Sequence, residues 1–215
     1  MNKLALSALI LVGTIVVGFV IFYLYGASVR DNAIQKQESV NEAWANVQGA
    51  YQRRADIIGN LVETVRAAAE NEKQILVGVT EARAGIQHHT DSVGRIINEQ
   101  KASLVTASTP QELDARDMAL MTTYRGFKGF LTENYPTVQA NKNFSDLQVS
   151  LEGTENRINT ARDRFNESVK EYNALIRGTW RRMGLRLVAD EEDQLTAREM
   201  FEAKPGADET PKVKF

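Results

Sequence analysis

The chain has 215 residues, a formal net charge of −2 and no cysteine. The missing cysteine excludes disulfides, thiolate zinc sites and thiol catalysis. The balanced charge, without a basic stripe between aromatic residues, argues against nucleic acid as a partner. Only four prolines and many helix-forming residues favour an all-α fold.

The first predicted element is a membrane span from Leu4 to Tyr25, a segment without any charged residue. As a helix it is about 33 Å long, enough to cross a hydrocarbon core of about 30 Å. The alternative is a cleaved signal peptide, whose apolar region is normally shorter. The predicted partner is therefore a lipid bilayer. Positive charges on the two sides are nearly balanced, but the short tail with Lys3 resembles a signal anchor whose N-terminus stays in the cytoplasm.

The next element is a heptad repeat from Val40 to Ile86, and no proline or glycine interrupts the chain between Arg30 and Val40. A repeat of 3.5 residues predicts a long helix packed lengthwise on other helices, here continuing from the span. Only Arg54 and Glu72 interrupt the apolar series. Its two seams are Trp44, Tyr51, Ile58, Val65, Glu72, Val79 and Ile86, and Val47, Arg54, Leu61, Ala68, Ile75 and Ala82.

Two signals for the start of a helix follow in the sequence. The segment 85–94 has the composition of a turn or weakened helix, and Thr90 or Asp91 then predicts a new helix cap. Farther on, Ser108 or Thr109 before Pro110, with Glu112 at the capping-box position, predicts a helix that ends before Pro136.

A second heptad runs from Phe144 to Leu175 and predicts a helix that lies along the first. Beyond Gly178 the pattern weakens into a cluster of arginines, an acidic run and a predicted short helix at 194–201. We expect an elongated antiparallel helical bundle with coiled-coil-like packing. The predicted division is an anchor at 1–28, a bundle at 29–187, an acidic segment with a short helix at 188–203, and a flexible tail at 204–215.

The sequence offers little chemistry. His88 and His89 are adjacent and do not share a helix face, so a solvated turn is a better interpretation than a metal site. No phosphate-binding, nucleophile or kinase motif occurs in the sequence. The prediction is a protein that is not an enzyme and that has no catalytic residue, cofactor or metal.

The most informative polar residue is Arg54, which falls on an apolar seam. A buried guanidinium needs a partner, and the candidates are Asp56, Glu152 and Glu155. Three interpretations remain: an ion network that fixes helix register, an arginine pair that binds a ligand or partner, or a solvated face. The predicted register or interaction residues are Trp44, Arg53, Arg54, Asp56, Asn60, Glu152, Glu155 and Arg157.

Several segments resemble the LemA family: EAWANVQGAYQRRADIIGNLVETV, the EAR at 81–83, ENYPTVQANKNFSDLQ and LEGTENRINTARDRFNESVKEYNALI. The resemblance implies an N-terminal membrane helix, an elongated antiparallel helical bundle and a bacterial membrane protein. With the N-terminus in the cytoplasm, as the signal-anchor-like tail indicates, we expect the bacterial inner (cytoplasmic) membrane to hold the protein with its soluble part in the periplasm or cell exterior. This chain departs from the family by Gly59 in place of a common proline, and in the sequence after Arg177. The segment beginning at Phe201 resembles the family's closing FEA.

Three functions are compatible with these observations. The first is a membrane-anchored scaffold that self-associates and organises membrane or envelope components. The second is an accessory subunit or adaptor of a membrane protease or other envelope complex, which binds through the bundle surface or through the tail ending Val213-Lys214-Phe215. The third is a ligand-sensing module that uses Arg53 and Arg54.

Overall fold

The computed structural model describes residues 3–72, 80–134, 142–190 and 193–202. In these ranges the chain forms five helices and no strand, which confirms the all-α prediction. The predicted tail at 204–215 lies outside the described residues. The helices are α1 (Lys3–Glu72), α2 (Thr80–Val105), α3 (Pro110–Asn134), α4 (Lys142–Arg177) and α5 (Thr179–Val188).

The helices divide into two compact units. One consists of residues Met1–Ala43 and Arg164–Met200, and the other of Trp44–Asp163 and Phe201–Phe215. We call them the anchor unit and the bundle unit. Helices α1 and α4 contribute to both.

The anchor unit begins with the apolar part of α1. Its most apolar window of 18 residues has a mean hydropathy of 2.4 and is only 6% buried. By length and composition this apolar part of α1 is a candidate membrane span, and a signal sequence near the N-terminus passes the same test. The helix continues past Arg30 and Val40 without interruption, as predicted.

The bundle unit is an antiparallel arrangement, as its ion pairs show. Asp56 pairs with Lys101, and Arg66 lies 3.9 Å from Asp91, so α2 runs back along α1. Tyr51 and Arg54 contact Asp114 and Asp117, so α3 is parallel to α1. In α4 the order is reversed, since Arg54 contacts Glu155 and Tyr51 contacts Arg162. The core contains the seam residues Val47, Tyr51, Ile58, Leu61, Val65, Phe144, Leu151 and Ile158.

The predicted start of α3 is confirmed. The Thr109 hydroxyl accepts a hydrogen bond of 3.2 Å from the Glu112 backbone N–H, and the Ser108 N–H donates to the Glu112 carboxylate at 2.9 Å. This reciprocal cap satisfies donors that the first turn leaves open. The same helix ends at Asn134, before the proline.

Two predictions about the middle of the chain are wrong. The segment 85–94 is part of α2, in agreement with the weakened-helix alternative, so the turn and the new helix start at Thr90 or Asp91 are wrong. Each glycine costs a helix about 1 kcal/mol, a penalty that burial of Val93 and Ile97 offsets. The first seam also does not continue along one helix to Ile86, because α2 runs antiparallel to α1. Val79 and Ile75 lie outside the described residues.

The short helix predicted at 194–201 is also wrong, because the described chain there is not helical. The Asn173 side chain donates a hydrogen bond of 2.8 Å to the Arg198 carbonyl and accepts one of 2.9 Å from its N–H. These bonds occupy backbone groups that a helix would use for itself. A long-range contact therefore overrides the local sequence preference.

Candidate functional site

The centre of the bundle unit is a buried arginine. The Arg54 side chain is 3% exposed, and its Nη1 donates to Oδ2 of Asp117 in α3 at 2.6 Å. Its Nη2 lies 2.7 Å from Oε2 of Glu155 in α4. Two carboxylates from two other helices thus compensate the desolvation of one guanidinium. The arrangement couples the register of α1 to that of α3 and α4.

A second polar layer lies one turn earlier in α1. The Tyr51 hydroxyl donates to Oδ1 of Asp114 at 2.7 Å, and Nη1 of Arg162 donates to the same oxygen at 3.0 Å. Burial, followed by the hydrogen bond to Asp114, raises the pKa of Tyr51 above its ordinary value. The phenol therefore stays neutral and acts as a hydrogen-bond donor at physiological pH.

Phe201 and Glu202 pack against this second layer through Arg162. The guanidinium carbon of Arg162 lies 4.5 Å from the centre of the Phe201 ring, and its Nη2 donates to the Glu202 carbonyl at 3.1 Å. The ring of Trp44 stacks on Phe201 with 6.0 Å between ring centres. Phe201 is buried and belongs to the segment that resembles the family's closing FEA. Arg162 thus joins the end of the described chain to α1 and α3.

The two layers link α1 to α3 and α4 through ion pairs and hydrogen bonds. The tyrosine proton is held more tightly than usual for the reason given above. The geometry therefore fits structural coupling between helices. Of the predicted residues it brings Arg54 and Glu155 together, while Trp44 stacks on Phe201 beside Arg162.

The other predicted residues lie elsewhere in the bundle unit. Asp56 pairs with Lys101 of α2 and not with Arg54. Arg53, Asn60, Glu152 and Arg157 are exposed.

Sequence reasoning missed Asp114, Asp117 and Arg162. A usable signal for the two aspartates was their spacing, since they stand three residues apart, as Tyr51 and Arg54 do. Two such pairs on neighbouring parallel helices face each other. The spacing alone does not say which helices are neighbours.

The histidines lie on α2. The ring of His89 is 4.0 Å from the Phe130 ring and 6.1 Å from the Phe127 ring, and His88 is exposed. His89 thus packs among aromatic side chains. Within the described residues, histidines, aspartates and glutamates form no group of three or more that could hold a metal ion.

A second noteworthy contact lies in the anchor unit, where α5 packs on α1. A Cβ on Gly26 would lie 2.9 Å from the Gly184 carbonyl oxygen, and one on Gly184 would lie 3.1 Å from the Gly26 Cα. Nearby, Arg30 donates to both oxygens of Asp193, at 2.6 Å and 2.9 Å, and to Asp190 at 3.1 Å. The hydrogen bond from Arg30 lowers the pKa of Asp193 below its ordinary value.

Comparison with known proteins gives one result. The model of the LemA family matches residues 43–215, which include the bundle unit with its arginine layers and the segment closing over them. No curated protein sequence matches the chain.

Proposed function

The chain belongs to the LemA family, and we propose that it is a membrane-anchored helical scaffold or interaction protein rather than an enzyme. The observation that carries the proposal is the course of α1. This one helix contains both the exposed apolar segment and the Arg54 layer of the bundle unit. Anchoring and interaction surfaces would then share one continuous, hydrogen-bonded element.

Self-association in the plane of the membrane is part of the proposal. Gly13 and Gly18 lie in the apolar segment, and nothing described lies within 4 Å of a Cβ built at either. Small residues let membrane helices approach closely enough for favourable van der Waals packing. Either glycine can admit a neighbouring span in a homo-oligomer. Because they stand five residues apart, about 140° around the helix, they lie on different faces of the span.

We further propose that the protein is a single-pass protein of the bacterial inner membrane whose soluble part is periplasmic. The support is membership of the LemA family together with the one candidate span that the described residues contain. In spheroplasts, added protease should then digest the helices beyond residue 30. Digestion only after the membrane is opened would place them in the cytoplasm instead.

Native mass spectrometry of the full-length protein, extracted in mild detergent, tests the scaffold proposal. We expect an oligomer, and we expect a Gly13→Leu, Gly18→Leu double variant to shift it towards monomer. The Gly153→Leu variant is a matched control, since this exposed helical glycine lies in α4. A wild-type monomer without any bound protein would contradict the proposal.

A further inference from the structure

Helix α5 exposes three large apolar side chains. Trp180 is 69% exposed, Leu187 51% and Met183 48%. At 3.6 residues per turn these positions fall within one arc of about 60° on the helix surface. A contiguous exposed apolar face that includes a tryptophan marks a surface on which something binds.

The same helix carries a basic face. Arg182 and Arg186 are exposed and stand four residues apart, so they are neighbours on one side of α5, next to Met183. Arg181 is exposed on another side of the helix. An apolar face with tryptophan and leucine beside a face of arginines is the pattern of a helix that lies in a membrane interface. Guanidinium groups bind phosphate oxygens by two parallel hydrogen bonds.

The position of α5 in the anchor unit fits such a role. Its buried side packs Gly184 against Gly26 and Tyr25, at the end of the candidate span. Before α5 the chain is tied to Lys36 by Glu171, and after α5 it is tied to Arg30 by Asp193. Of these three contacts with α1, the one that α5 makes lies closest to the predicted span Leu4–Tyr25.

We propose that α5 is a second membrane contact, which inserts its apolar face among lipid headgroups and binds anionic phospholipid through Arg182 and Arg186. This inference rests on the proposed anchoring through Leu4–Tyr25. It adds a lipid preference that the span alone does not provide, because an uncharged span has no group that recognises a headgroup.

Tryptophan fluorescence tests the proposal on the full-length chain, which has two tryptophans. A Trp44→Phe variant keeps only Trp180 and is reconstituted in liposomes of phosphatidylcholine, with or without phosphatidylglycerol. The acyl chains carry bromine near the headgroup. Interfacial helices insert about 5–10 Å deep, so we expect bromine to lower Trp180 emission about twofold in anionic liposomes. The Trp180→Phe variant keeps only Trp44 and serves as the control for quenching at the other tryptophan.

A second experiment tests whether Arg182 and Arg186 cause the preference for anionic lipid. A basic residue near an anionic surface contributes roughly fivefold to binding. The Arg182→Gln, Arg186→Gln double variant should therefore lose the extra quenching that phosphatidylglycerol causes. An Arg157→Gln, Arg164→Gln variant, changed at two exposed positions of α4, should keep it. Circular dichroism checks that each variant keeps its helices.

Flotation of the liposomes separates this inference from the anchoring on which it rests. Protein that fails to float contradicts the membrane anchor itself. Protein that floats while bromine leaves Trp180 emission unchanged overturns the second contact only, and that result is expected if another protein covers this face. Quenching that is equal with and without phosphatidylglycerol overturns the anionic preference.

Discussion

Arg54 and Asp117 form a nearly buried ion pair, with 2.6 Å between Nη1 of the arginine and Oδ2 of the aspartate. Their side chains are 3% and 13% exposed. The charge on Arg54 is therefore tolerable only while its carboxylate partners stay in place, which makes this pair the most sensitive point of the bundle unit.

The first prediction concerns the two neighbouring arginines. Asp117→Ala leaves the Arg54 charge buried with only Glu155 to compensate it, so it should lower the free energy of unfolding by about 3 kcal/mol. Arg53→Ala, at an exposed position beside Arg54, should change it by less than about 0.5 kcal/mol. Urea unfolding in detergent, followed by circular dichroism, measures both.

Arg54→Leu distinguishes the structural role from ligand sensing. If Arg54 couples helix register, the variant should lose stability in the same way as Asp117→Ala. A variant that stays as stable as the wild type while losing a small-molecule response would instead favour the sensor interpretation.

The second prediction concerns the contact between α1 and α5. Gly26→Val places a side chain where even a Cβ meets the Gly184 carbonyl oxygen at 2.9 Å, so α5 should detach. Trypsin should then cut after Arg181 and Arg182 roughly tenfold faster, as expected when local opening becomes easier by about 1.4 kcal/mol. Gly49→Val is the control, because this exposed glycine also lies in α1 and nothing described lies within 4 Å of its Cβ. Equal cleavage rates in the two variants would refute a close contact.

The third prediction is a stabilising change. Gly153 lies inside α4, is exposed, and leaves open space around a built Cβ. Gly153→Ala should raise the free energy of unfolding by about 0.5–1 kcal/mol, because alanine has less freedom to lose from the unfolded chain. A lower thermal midpoint than that of the wild type would show that the position is crowded.

The fourth prediction concerns acid. The pKa of Asp193 is lower in the folded protein than its ordinary value of 3.8, because Arg30 donates hydrogen bonds to the carboxylate. The stability from this pair is therefore present above pH 3.8 and lost as the pH falls through the lowered pKa. Trp180 emission in the Trp44→Phe background should change in this acid range. Asp193→Asn should remove that transition, and an unaltered transition would exclude Asp193 as its source.

The helices and their buried faces were predictable because they depend on local periodicity. Tyr51, Ile58, Phe144 and Ile158 lie on the predicted seams and are buried. The capping signal at Thr109 is equally local and marked the start of α3.

Contacts between distant parts of the chain were not predictable. Asp117 became a partner of Arg54 only because α3 lies parallel to α1, and the sequence does not state the order of helices. The same holds for Asn173, whose bonds to Arg198 prevent the predicted helix there. The position of α5 against Gly26 depends on two glycines far apart in sequence.

The central claim is that the protein assembles in the membrane through its span. Because the natural chain has no cysteine, single cysteines introduced one at a time from residue 9 to residue 25 can be oxidised in intact membranes at native expression levels. The scaffold proposal predicts disulfide-linked dimers at positions that recur every three to four residues, as for one helix face. Monomer at every position would contradict it.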